Sequence, residues 1–111
     1  MNLLIPDSAA LAEEILDTLG SSPPVQVGIA PPFTALESVR EALAGSGIAL
    51  GGQNICSEPQ GAFTGEISAS MLKDAGCGFV ILGHSERRQL FGETDATVNR
   101  RVKAALKAAL S

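Results

Sequence analysis

The chain has 111 residues, 45% of them hydrophobic, and a formal net charge of −4 at pH 7. That is enough apolar content for one small packed domain hiding roughly two-thirds of its unfolded surface, and too much for a disordered chain. The acidic balance, with no run of Lys and Arg longer than a pair, argues against nucleic acid and anionic membranes as partners.

From the amino terminus, Met1 to Asp7 shows no basic leader and no long apolar core, so the expectation is a cytoplasmic protein with no membrane segment. "PDSAALAEEILDTLG" reads as a helix capped by Asp7 or Ser8, with Leu11, Ile15, Leu16 and Leu19 on one stripe and a stop at Gly20. After the Ser-Ser-Pro-Pro breaker, "VQVGIA" (25–30) is a short strand. Thr34 and Glu37 have capping-box spacing and open a helix through Leu36, Val39 and Leu43 to Gly45. "IALGGQN" (48–54) is the next strand, and "CSEPQGAFTGE" (56–66) a long loop bearing Gly and Pro. Ser68 to Ala75 is a short helix closed by Gly76, "FVIL" (79–82) a third strand, and Asp95 caps a final helix through Val98, Val102, Ala105, Leu106 and Ala109. Cys56 and Cys77 lack metal-ligand spacing, and with a single histidine in the chain the expectation is two reduced thiols and no metal.

Alternating strands and helices imply a parallel sheet with crossover connections. In the first two strands Val25, Val27, Ile29, Ile48 and Leu50 alternate with Gln26, Gly28, Ala30, Ala49, Gly51 and Gln53. The bulky face would carry the helices. The small or polar face, to which Val80 and Leu82 of the third strand are also assigned, must meet something crowded, as the inside of a closed barrel is. Three strands cannot close a barrel, so pattern and length together point to part of one.

"GFVILGHSERRQLFGE" (78–93) is the stretch richest in chemistry. An apolar run ends in glycine, the only histidine, and then Ser-Glu-Arg-Arg, at the strand end where α/β folds place their ligands. On composition alone, His84 could be a hydrogen-bonded structural histidine and Glu86, Arg87 and Arg88 a solvated loop.

"APPFTALESVREALAGSGIALGGQN", "GAFTGEISASMLKDAG" and "GFVILGHSERRQLFGETDATVNRRVKAAL" resemble the triosephosphate isomerase family, in the amino-terminal half of its (β/α)8 barrel. The resemblance runs from about residue 24 to the end, and Met1-Asn2 is similar to the residues just after the family's first strand. It implies an α/β fold: a single incomplete domain over residues 1–111, a partial barrel of three parallel strands and about four helices lacking the first strand.

By the same resemblance, His84 matches the family's electrophile, a neutral imidazole that polarises the substrate carbonyl. Glu86 matches a supporting glutamate beside the active site, and Ser85 an orienting hydroxyl. Thr64, with Phe63 and Gly65, matches the loop that enters a neighbouring subunit, and Glu66 and Arg87 a structural ion pair. For Gln53, Asn54 and Glu93 a structural role is at least as good a reading as a catalytic one. The family uses neither cofactor nor metal. Its Asn-x-Lys strand, its catalytic glutamate with a lid loop and its late glycine-rich phosphate loops have no counterpart in these residues. Two functions therefore stay open: part of an enzyme interconverting dihydroxyacetone phosphate and glyceraldehyde 3-phosphate, or a catalytically incompetent half-barrel that folds and self-associates. The expected partners are triose phosphate in the complete enzyme, and either a second copy or a complementary barrel half.

Overall fold

The computed structural model describes residues 1–111, as helices and short parallel strands in alternation. Helix α1 spans Ile5–Leu19 with Pro6 in its first turn, where a missing N–H costs nothing. It starts earlier than the sequence suggests: Leu4 is the N-cap, without a side-chain bond, and Asp7 and Ser8 already lie inside the helix. The buried centre of its apolar stripe is Ser8 and Ala12, flanked by Ile15 and Leu16, while Leu11 and Leu19 sit at the rim. Gly20 ends it as expected, at φ +75° with its N–H on the Leu16 carbonyl.

Strands β1 (Gly28–Ile29), β2 (Ala49–Gly52) and β3 (Phe79–Val80) form a parallel sheet in that order, pairing Gly28 with Ala49 and Gly51 with Phe79. β1 is shorter than "VQVGIA", and Val25 at its start is exposed. A 3-10 turn, Phe33–Ala35, leads into α2 (Leu36–Ala42), and α3 spans Ala69–Asp74 behind a Ser68 cap. Thr34 does not cap α2: it lies within the 3-10 turn, and Ala35 takes the N-cap place with no side-chain bond.

Two helices follow β3: α4 (Ser85–Leu90) and α5 (Asp95–Lys107). α4 brings the helices to five, and "SERRQL" escapes periodicity because it buries no residue. The cap of α5 is Thr94, in a reciprocal box with Thr97, so Asp95 is its first helical residue.

Neighbours in a parallel register point to the same face, which corrects the orientation of β3. Phe79 stands with Gly28, Ala49 and Gly51, whereas Val80 stands with Leu50 and Gly52 on the helix face. Val80 and Leu82 pack against the core of Val39, Leu43, Ile48, Leu50, Ile55 and Leu72. Four bulky residues in a row give no alternation, so "FVIL" carries no clue to its phase. The crowding that keeps Gly28 and Gly51 small is the Phe79 ring: a Cβ built at Gly51 would lie 2.4 Å from it. The far edge of the sheet is not bare, because Ser111 exchanges backbone hydrogen bonds with Gly78 and Val80. No helix is long and apolar enough to cross a membrane.

Candidate functional site

The polar residues of interest gather at the carboxyl ends of the strands. Beyond β3 the chain turns at Gly83, with φ +69°, and a Cβ there would meet Val98 at 2.9 Å, so the turn demands glycine. It delivers His84 as the N-cap of α4, where Nδ1 accepts the Glu86 backbone N–H at 3.2 Å. A neutral imidazole accepting at Nδ1 carries its proton on Nε2, which remains available as a donor. The His84 side chain is half exposed and lines a cavity of about 600 Å³ with Ala30, Gln53, Asn54, Ile81 and Glu86. That volume falls within the range of small-molecule sites, roughly 300–1,000 Å³. Phe33, Leu90 and Phe91 supply apolar wall.

The Glu86 carboxylate is exposed, its Oε2 3.8 Å from His84 Nδ1. Ser85 is exposed at the start of α4 and does not line the cavity. Gln53 Nε2 donates to the Ala30 carbonyl at 2.9 Å and so ties the ends of β2 and β1 together.

Glu93 lies at the back of the site, only 7% exposed. Its Oε1 accepts from Arg87 Nε at 2.5 Å and from Arg101 Nη1, and Arg101 Nη1 also donates to Asn54 Oδ1 at 2.9 Å. Oε2 is buried without a partner. Burial alone would push the Glu93 carboxyl up, but the hydrogen bond from Arg87 and the charges of Arg101 and Arg87 outweigh it and hold it below the usual carboxylate value. Arg88 donates from Nε to the Gly83 carbonyl at 3.1 Å and from Nη1 to Asp95 at 2.7 Å. The Arg87 guanidinium lies 4.7 Å from the centre of the Phe91 ring.

The triosephosphate isomerase family model matches residues 1–111, the whole chain. The chain belongs to the triosephosphate isomerase family. It is 56% identical to a triosephosphate isomerase of Chlorobium phaeobacteroides over 99% of its own length and 44% of the relative's. Against that of Rhodopirellula baltica it is 53% identical, over 96% of this chain and 42% of the relative. The crystal structure of triosephosphate isomerase from Bartonella henselae superposes with a TM-score of 0.85 at 39% identity, covering 99% of this chain and 45% of that one. The chain thus spans less than half the length of these relatives. Its three parallel strands and five helices are part of a TIM barrel.

For a triosephosphate isomerase chain, one implied pairing differs here: Arg87 binds Glu93 and not Glu66, which is exposed in its loop with no ion pair. The reason is reach. Glu93 follows α4 directly, and its own N–H bonds to the Arg87 carbonyl at 3.3 Å, which brings the two side chains together. Phe63, Thr64 and Gly65 are exposed on the 56–66 loop, outside the cavity lining. The part of Arg101 goes unseen in the sequence, although Glu93 ahead of a helix with Arg101 along it is an available pattern of charge.

Proposed function

We propose that this chain is part of a triosephosphate isomerase, interconverting dihydroxyacetone phosphate and glyceraldehyde 3-phosphate in the complete enzyme, without cofactor or metal. The reaction would place it in the cytoplasm, in glycolysis and gluconeogenesis. The observation that supports this best is His84 beside the 600 Å³ cavity, its Nδ1 already occupied by the Glu86 N–H. Nε2–H is then the donor for a substrate carbonyl. A donor fixed before the substrate arrives stabilises the oxyanion of an enediolate without reorganising as charge develops. Glu86 supports it: its backbone N–H holds the ring, and its exposed carboxylate is available to a cation brought by the rest of a barrel.

Enolisation also needs a base at the substrate carbon, and general acid–base help is commonly worth about 10²–10⁴-fold. The polypeptide of residues 1–111 by itself is therefore expected to be inactive. Joining it to the remaining part of the Chlorobium phaeobacteroides relative should give an active isomerase in a coupled assay. In that chimera His84→Ala should lower kcat by about 10²–10⁴-fold with a smaller effect on KM. A folded chimera that turns over equally well with alanine at this position refutes the assignment of His84.

Association of the chain is supported by a separate observation. The chain exposes 7071 Å², against about 5,800 Å² for a compact monomer of this mass. We infer that the chain associates, with a second copy or with a complementary barrel half, through the inner sheet face and the 56–66 loop bearing Phe63, Thr64 and Gly65.

A further inference from the structure

We propose that Glu93 is a positioning residue of this site: through Arg87 and Arg101 it clamps α4 to the end of β2 and thereby sets the orientation of His84. This deepens the reading of the site given above, and its readout does not depend on catalysis. The premise is how α4 is held. The helix has six residues and buries none of them, so no buried apolar side chain seats it on the sheet. A helix this short has no independent stability either. What docks it is polar. Arg87 reaches Glu93, and Arg88 reaches the Gly83 carbonyl and Asp95.

The two anchors are not equivalent. Arg88 and Asp95 are 40% and 96% exposed at the side chain, and exposed pairs contribute little. The Glu93 side chain is only 4% exposed and those of Arg87 and Arg101 are 25% and 17%, so this pair works where water screens it least. Glu93 also joins two helices at one oxygen. Arg87 comes from α4, Arg101 from α5, and Arg101 reaches on to Asn54 beyond β2. His84 caps the helix that Arg87 anchors: its carbonyl accepts the Arg87 and Arg88 N–H groups, and its ring accepts that of Glu86. If α4 tilts, the N–H that holds the ring moves with it.

With a single histidine in the chain, ¹⁵N spectra of the imidazole report one residue without overlap. At alkaline pH the unaltered chain should show the Nε2–H tautomer in excess. Glu93→Gln keeps the shape but removes the charge, and Arg87→Ala frees α4 while leaving Glu93 with Arg101. Each should lower the tautomer ratio about fivefold, the ratio that one ordinary hydrogen bond sustains. Val39→Ala, a core truncation in α2 of comparable cost to stability, should leave the His84 signals unchanged. An unaltered ratio in a folded Glu93→Gln or Arg87→Ala chain overturns the proposal. So does an equal loss in Val39→Ala, because the effect would then be general loosening. Failure of both Glu93→Gln and Arg87→Ala to fold would also overturn it, making the cluster a condition of folding rather than a device of the site.

Discussion

Leu72 has no exposed surface, and a Cβ built at Gly52 would sit 2.4 Å from its Cδ1. At neighbouring Gly51 the same atom would meet the Phe79 ring, which is only half-buried on the inner face. The two glycines look alike in the sequence and differ in what can yield. Leu72 is caged by core, so Gly52→Ala should cost about 1–3 kcal/mol of overpacking, read as a lower urea midpoint at unchanged m-value. Gly51→Ala should cost less, since the ring can swing toward open space. The reverse order would contradict the assigned faces. A second consequence at this scale concerns acid. The Glu93 pKa is depressed in the folded chain. Its stabilisation is therefore present above the unfolded value, about 4.3, and is lost as pH falls through the lower folded value. Thermal scans from neutral pH downward should show Tm falling across that window, and the fall attributable to this group should vanish in Glu93→Gln.

Among the elements, the helix starts separate by whether the chain enters extended. Thr94 has φ −113° and ψ 168°, so its hydroxyl reaches the Thr97 N–H while Thr97 answers at the Thr94 N–H. Thr34 sits in a 3-10 turn and bonds to nothing in α2. Thr94→Ala should therefore cost about 1 kcal/mol, and Thr34→Ala no more than about 0.5 kcal/mol. Equal losses in chemical denaturation would mean that α2 is capped after all. α4 shows another way to make an element, with charge in place of apolar packing. The outcome is a helix whose position depends on one buried carboxylate.

For the molecule as a whole, surface is the deciding quantity. Only 20 of 111 residues are buried, and the radius of gyration of 14.4 Å exceeds the roughly 13.2 Å of a compact chain this long. Exposed Phe33, Ile81, Leu90 and Phe91 line the cavity. A standard interface hides about 800 Å² per partner, which is comparable to the excess surface of this chain. Light scattering after size exclusion should find a dimer or larger species at micromolar concentration. A stable soluble species at 11.4 kDa would count against association. Phe91→Glu should shift any dimer toward monomer.

Local order was written in the sequence: the strand and helix alternation, the stop at Gly20, the Ser68 start of α3 and the place of His84 at a strand end all rest on propensity and spacing within a few residues. The small inner face of β1 and β2 was equally legible, because a two-residue alternation survives in "VQVGIA" and "IALGGQN". Tertiary structure alone decided the phase of "FVIL", since a uniformly bulky run fits either face until Gly51 and Gly52 set the register. It also decided which acid Arg87 meets. Glu66 and Glu93 are both glutamates near turns, but the turn after α4 brings Glu93 to Arg87, and the packing of α5, which carries Arg101 to Asn54, adds a second arginine, while Glu66 stays in water. Periodicity records which side chains avoid water, whereas a buried ion pair is a choice among charged residues made by the distances that packing sets.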